Sequence, residues 1–230
     1  MKKLLFLIIL LLVIVVGIGS FMLPGFVSSQ VETKINDELH PSATSLKIDS
    51  SPSAKMLLGD IDMLRGNLSA VKMGDLEFVD VSFDVRNMKI DPIQLLSARH
   101  VVVTKVGDGV IEGTVTQQAL QEFMEKKIKG LEISKVAITS NGIEVIGNIN
   151  IGGFIKGEAN VKGQLEVKNN ALMFNPEKFS INGMNIGGLT SAVFKEIVIY
   201  DFANFPIPVL ADTIKSSEGE VHLILKPLAK

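Results

Sequence analysis

The chain begins with an apolar run that differs from everything after it. Residues 4–23 are almost all large and apolar, interrupted only by small residues at positions 17, 19 and 20, and two lysines precede them. Twenty helical residues rise about 30 Å, the thickness of a bilayer's hydrocarbon core. Basic flanks stay on the cytoplasmic side. The pattern predicts a transmembrane anchor over residues 1–25, broken at Pro24-Gly25, with the N-terminus cytoplasmic and the rest extracytoplasmic.

A cleaved signal peptide is the alternative for this segment. Gly17, Gly19 and Ser20 are small enough for a signal peptidase site, and cleavage would leave the remainder secreted. The apolar core of a signal peptide is typically about 7–15 residues long. Because the run continues through residue 23, we favour a retained anchor.

Two later segments have the apolar spacing of amphipathic helices. In residues 26–41 every fourth residue is apolar, with polar residues between, and His40-Pro41 ends the pattern. Residues 116–129 carry a second apolar stripe, with Thr114 and Gln117 as an expected capping box and Gly130 as a stop signal. The two stripes consist of Val27, Val31, Ile35 and Leu39, and of Leu120, Phe123, Met124 and Ile128.

Alternation of apolar and polar residues predicts strands in most of residues 42–230. Apolar residues occupy every second position in 81–85 and recur in 161–167. Asn141-Gly142 and Asn169-Asn170 separate apolar runs, which is typical of hairpin turns. Residues 42–53, rich in serine, are expected to form a connector. Further strands are expected at 131–138, 143–151, 172–181, 194–202 and 221–225. The expected fold is α+β, with a mainly antiparallel sheet and one or two amphipathic helices.

Composition excludes several kinds of chemistry. The chain has no cysteine, so disulfides, thiol catalysis and a lipoprotein anchor are impossible. Its formal net charge of −2 does not suggest a nucleic-acid-binding protein. Asp60 and Asp62 would share one strand face, but the three histidines lie far apart, and His222 is expected to face solvent on a strand. We expect no catalytic residues, no metal site and no cofactor.

The order of several short motifs resembles the LmeA-like family of bacterial envelope proteins. The similar segments are residues 52–62 (PSAKMLLGDID), 87–96 (NMKIDPIQLL), 113–116 (GTVT) with Leu120 and Phe123, 164–176, and 205–206 followed by 218–221. The resemblance implies a phospholipid-binding protein. It also implies half of a tubular lipid-binding fold, in which a strongly twisted sheet wraps around a helix and an apolar groove. The absence of cysteine departs from relatives that use a lipoprotein signal.

These observations together predict a membrane-anchored, non-enzymatic protein that binds phospholipid or another apolar ligand. The expected ligand slot lies between the curved sheet and the stripes of the two amphipathic helices. A structural or interaction module of the cell envelope is the alternative, and the sequence does not identify a protein partner. The candidate ligand-binding residues are Val31, Ile35, Leu39, Leu120, Phe123, Met124 and Ile128.

Overall fold

A computed structural model describes residues 24–98, 102–151, 155–186, 196–205 and 207–228. It is an α+β fold made mostly of antiparallel sheet. Of the predicted anchor over residues 1–25, residues 1–23 lie outside the described residues. In the described part of the chain, no helix combines the length and apolarity needed to cross a bilayer.

The described chain contains three α-helices, and its strands follow a simple order. The helices are α1 (residues 24–39), α2 (Pro92–Ala98) and α3 (Gln117–Lys127), and 3-10 turns occupy Ser53–Leu58 and Phe202–Asn204. The strands are β1 (Ala43–Asp49), β2 (Asp60–Met73), β3 (Leu76–Ile90), β4 (Val103–Lys105), β5 (Gly109–Thr116), β6 (Leu131–Thr139), β7 (Gly142–Ile151), β8 (Ile155–Lys168), β9 (Ala171–Ile181), β10 (Met184–Asn185), β11 (Ile197–Asp201), β12 (Val209–Ser217) and β13 (Glu220–Pro227).

The chain forms two compact units. The first comprises the described residues of 1–68, 82–110 and 227–230, and the second those of 69–81 and 111–226. The long strands β2 and β3 contribute residues to both. Each unit has its own apolar core, and the two predicted amphipathic helices belong to different units: α1 to the first and α3 to the second.

The first unit packs α1 on a small sheet. Strands β1, β2 and β3 are neighbours in that order, and β4 pairs with the end of β3 through Lys89–Lys105 and Ile90–Val103. Burial of its apolar stripe stabilises α1. One core cluster joins helix and sheet, formed by Val27, Val31, Ile48, Met56, Ile61, Leu64, Met88, Ile90 and Leu95.

The second unit contains two groups of strands. In one, the start of β3, then β5, β13 and β12 are neighbours; in the other, the order is β10-β9-β8-β7-β6, with β11 also paired to β9. Strand β12 contacts β6 and β8. A row of buried side chains, placed by the register, crosses four antiparallel strands: Val136, Val145, Val161 and Phe179.

The Asn-Asn hairpin is confirmed. Asn169 and Asn170 have φ angles of 53° and 57°, and Lys168 pairs with Ala171 across the turn. Two consecutive residues with positive φ are required by the turn type whose twist matches the flanking strands. Asparagine tolerates that conformation better than most residues do, so the sequence signal and the backbone agree.

Two local predictions are wrong. Residues 42–53 are not only a connector, because they contain β1, whose inward positions Thr44, Leu46 and Ile48 include only two apolar residues. The predicted helix break at Pro24-Gly25 falls at the edge of the described residues, where Pro24 and Gly25 are both helical and are the first described residues of α1.

The expected capping box is the second wrong prediction. Thr114 lies within β5, and the side chain of Thr116 caps α3 instead by accepting a hydrogen bond from the backbone N–H of Ala119 (3.2 Å). The strand continues to Thr116 because its backbone pairs with β13, where Thr116 is opposite Glu220. Tertiary pairing thus shifts the helix start by two residues relative to the sequence signal.

Candidate functional site

The apolar stripe of α1 becomes less buried toward the end of the helix. Val27 is 1% exposed and Val31 6%, whereas Ile35 is only partly buried against the same core and Leu39 is half-buried. Strand β1 shows the matching trend, since Ile48 is buried and Leu46 is half-buried. The helix and the strand therefore cover each other well at one end and incompletely at the other.

Apolar side chains from the sheet gather at the less covered end. Leu46 of β1 and Phe83 of β3 are partly buried and pack against the same core as Ile35. Between them lies Gly66 of β2, where a Cβ atom would be 2.5 Å from Phe83 Cζ and 2.6 Å from Leu46 Cδ2. Glycine thus lets these two side chains approach the backbone. We name Ile35, Leu46, Gly66 and Phe83 the α1 seam.

The margin of the α1 seam is polar. The Thr44 hydroxyl donates to Asn36 Oδ1 at 2.8 Å, linking the last turn and a half of α1 to the start of β1. On the helix surface, Lys34 Nζ donates to Glu38 Oε1 at 2.6 Å. An apolar surface beside neutral hydrogen-bonding groups suits an acyl chain or another uncharged apolar ligand.

The α3 stripe has a different environment. Leu120, Phe123 and Met124 are essentially fully buried, and Ile128, at the C-terminal cap, is half-buried. These side chains form part of the core of the second unit. A ligand could reach them only if side chains that now cover them moved.

Polar contacts attach α3 firmly to strand β6. Gln117 Oε1 accepts from Ile138 N at 3.1 Å, and Gln121 Oε1 accepts from Val136 N at 3.3 Å. Strand β6 is the last strand of its sheet, so these two glutamines satisfy backbone donors that have no neighbouring strand. Lys127 Nζ also lies 2.6 Å from Asp75 Oδ2.

The candidate ligand-binding residues therefore fall into two separate sets. Val31 belongs to the core of the first unit, and Ile35 and Leu39 lie at its partly covered margin. Leu120, Phe123, Met124 and Ile128 lie in the second unit. Sequence reasoning missed Leu46 and Gly66 because they lie in segments of weak apolar pattern. Phe83 was recognised only as an inward-facing strand residue.

The described carboxylates and histidines do not gather into a metal-binding cluster. No group of three or more histidine, aspartate or glutamate side chains there could hold a metal ion. Asp60 and Asp62 each contact a lysine, at 2.9 Å from Lys89 and 3.1 Å from Lys55. The backbone N–H of Ser51, together with Lys55, lowers the pKa of Asp62.

The histidines have simple surroundings where they are described. His222 is exposed on β13 between the buried Val221 and Leu223, as predicted. Its Nδ1 lies 3.2 Å from the Thr114 hydroxyl, and its Nε2 lies 3.6 Å from a Glu220 oxygen. His40 is exposed just after α1, and His100 lies outside the described residues.

Comparison with protein-family models, curated proteins and solved structures finds no match to this chain. The function must therefore be argued from the chain itself. The resemblance to the LmeA-like family remains a prediction that rests on the motifs of the sequence.

Proposed function

We propose that this protein is a membrane-anchored, extracytoplasmic binder of phospholipid or another apolar ligand, and that the α1 seam is where the ligand binds. The proposal combines the anchor predicted over residues 4–23, the motif order that resembles the LmeA-like family, and the half-tubular lipid-binding fold which that resemblance implies. The carrying observation is the loss of burial along α1, from Val27 to Leu39.

Partial burial is the property that separates the α1 seam from ordinary core. Ile35, Leu46 and Phe83 contact the core yet keep some surface in water. Covering such surface with an acyl chain releases about 0.8 kcal/mol for each methylene removed from water. Because this binding is driven by apolar contact, it needs neither a metal nor a cofactor.

Photolabelling of the full chain in its membrane tests the proposal. The chain is placed in vesicles that contain a phospholipid with a diazirine on its acyl chain, irradiated, and digested with trypsin. Cleavage after Lys34 and Lys47 releases residues 35–47, which contain Ile35, Leu39 and Leu46. Cleavage after Lys72 and Arg86 releases residues 73–86, which contain Phe83.

We expect labelled residues in both peptides and no label in residues 106–126, which contain most of the α3 stripe. Label confined to residues 4–23 would contradict binding at the α1 seam. The alternative, an interaction module of the envelope, predicts a different result. The lipid would then leave no label in the α1 seam, and crosslinking in the membrane would yield a stoichiometric protein partner.

A further inference from the structure

Several large apolar side chains are exposed at one end of the first unit. Leu58 is 73% exposed, Ile93 72% and Leu57 47%, and Val102 is also exposed. Isolated exposed apolar residues are common, but a group of them indicates an interaction surface. We name Leu57, Leu58, Ile93 and Val102 the apolar tip.

Backbone contacts bring these residues to the same end. The 3-10 turn that carries Leu57 and Leu58 contacts α2, which carries Ile93. Gly59, which follows Leu58, lies close to the start of α2: a Cβ atom added to it would be 3.1 Å from Pro92 Cδ. The backbone N–H of Ile90 donates a hydrogen bond to the Gly59 carbonyl oxygen at 2.9 Å. Asp91 N donates to Val102 O at 2.8 Å. The apolar tip is therefore one connected part of the surface.

Helix α1 begins at this end of the first unit. Residues 40–42 join α1 directly to β1, and Asn36 contacts Thr44 beside this connection. The α1 stripe shares one core with Leu46 and Ile48 of β1, so the two elements lie side by side in opposite directions. Sixteen helical residues span about 24 Å and seven strand residues about 23 Å. Pro24 is thus level with the end of β1.

The end of β1 lies beside the start of β2. The Ser50 hydroxyl, just after β1, donates to Asp60 O at 2.9 Å, and Asp60 directly follows the turn that carries Leu58. Pro24 and the apolar tip therefore lie at the same end of the first unit. Phe26, 38% exposed in the described start of α1, adds to the apolar surface there.

We infer that the apolar tip docks into the interface of the bilayer from which α1 emerges. The occupant is a lipid surface, because the apolar residues 4–23 end immediately before Pro24 and would leave the membrane at this point. The inference rests on the proposed anchor but not on ligand binding at the α1 seam. Docking would hold the first unit with its apolar tip in the membrane surface, and the α1 seam would lie at the end of α1 that is farther from the membrane.

Charges near the apolar tip favour an apolar mode of docking. Lys55 pairs with Asp62 and Lys89 pairs with Asp60, whereas Lys105, three residues after Val102, has no ion pair among the described residues. A surface that binds anionic headgroups presents a cluster of unpaired basic residues. One lysine is not such a cluster, so docking should depend on apolar insertion and change little with salt.

Single tryptophans test the inference because the chain has none of its own. The full-length variants Leu58→Trp and Ile93→Trp are each placed in vesicles of phosphatidylcholine brominated near the headgroup end of the acyl chains. Phe21→Trp, in the anchor, reports whether the chain is inserted. Asp37→Trp, at an exposed position near the other end of α1, is the matched control.

We expect the brominated lipid to cause a large loss of emission in Leu58→Trp, Ile93→Trp and Phe21→Trp but not in Asp37→Trp, at low and high salt alike. Loss of emission only in Phe21→Trp would overturn docking and leave the anchor intact. No loss in any variant would overturn the anchor and docking together. Quenching of the tip variants that disappears at high salt would overturn the apolar mode.

Discussion

Helices α1 and α3 have the same kind of apolar spacing but different surroundings. The α3 stripe is covered completely, and two glutamines fix the helix to β6. The α1 stripe is covered at Val27 and Val31 but only partly at Ile35 and Leu39. The spacing identifies the inward face of a helix, whereas the neighbouring strands decide how completely that face is buried.

Under the proposed function, this difference predicts different roles for the two helices. Helix α3 completes a core and protects a sheet edge, so its apolar residues contribute mainly to stability. Helix α1 joins its core at one end and leaves apolar surface at the other, so its last turns are better suited to a ligand. The following predictions test that distinction.

Truncation in the α3 stripe should have the largest effect on stability. Phe123→Ala removes a buried ring, and we expect the free energy of unfolding to fall by about 3–5 kcal/mol. Ile35→Ala, at the partly buried seam, should cost about 1–2 kcal/mol. Urea unfolding of the full chain in detergent measures both. Equal losses would contradict the distinction between core and seam.

Tyr200 probes the dryness of the second unit's core at high pH. Its ring packs edge-on against Phe78 and Phe202, its hydroxyl donates to Met73 Sδ at 3.8 Å, and burial raises its pKa from 10.0 to about 12. The folded state therefore disfavours tyrosinate. Stability should be unaffected below pH 10 and fall as the pH rises toward about 12, by about 2 kcal/mol.

The measurement is simple because Tyr200 is the only tyrosine in the chain. Its ultraviolet absorbance should report tyrosinate only near or above pH 12 in the folded protein. Tyr200→Phe keeps the ring contacts and should lose the part of the alkaline destabilisation that belongs to this group. A folded protein that titrates with an ordinary tyrosine pKa would contradict a dry core.

The glutamine contacts of α3 should have a moderate effect. In the double variant Gln117→Leu with Gln121→Leu, the N–H groups of Ile138 and Val136 lose their acceptors, which should cost about 1 kcal/mol each. Gln118→Leu, at an exposed position of the same helix, is the control and should change little. Thermal unfolding compares them. If the double variant matched the control, β6 would not depend on these contacts.

Filling Gly66 should have the smallest effect on stability and a clear effect on the ligand. Gly66→Ala places a methyl group against the ends of Phe83 and Leu46, which can move aside, so we expect a loss of about 1 kcal/mol. Uptake of a fluorescent acyl chain should decrease because the seam is filled. Gly25→Ala, where a Cβ meets nothing within 4 Å, should leave uptake unchanged. Unchanged uptake in Gly66→Ala would place the ligand elsewhere.

Much of the fold could be predicted because its signals are local. The spacing of Leu120, Phe123 and Met124 predicted α3, alternation around Val81 and Val85 predicted part of β3, and Asn169-Asn170 predicted a hairpin. Strand β1 was missed because Thr44 and Ser45 interrupt its pattern and only Leu46 and Ile48 supply a large apolar signal.

The candidate site could be predicted only in part because it depends on packing between distant segments. Ile35 was identified from helical spacing. Gly66 has no local signal, since its role appears only when Phe83 and Leu46 lie against it. The assignment of the two helices to different units likewise follows from strand pairing, which periodicity does not specify.

Quenching of one tryptophan at the α1 seam tests the central claim most directly. Phe83→Trp and Phe123→Trp are compared as full chains in vesicles of phosphatidylcholine brominated on its acyl chains, with circular dichroism confirming that each is folded. Ile35, which packs on the same core as Phe83, lies about 17 Å along α1 from Pro24, so lipid held in the seam, rather than the bilayer, would quench Phe83→Trp.

We predict a strong loss of emission in Phe83→Trp and none in Phe123→Trp. If brominated lipid reduced the emission of neither variant relative to ordinary lipid, lipid binding at the α1 seam would be contradicted.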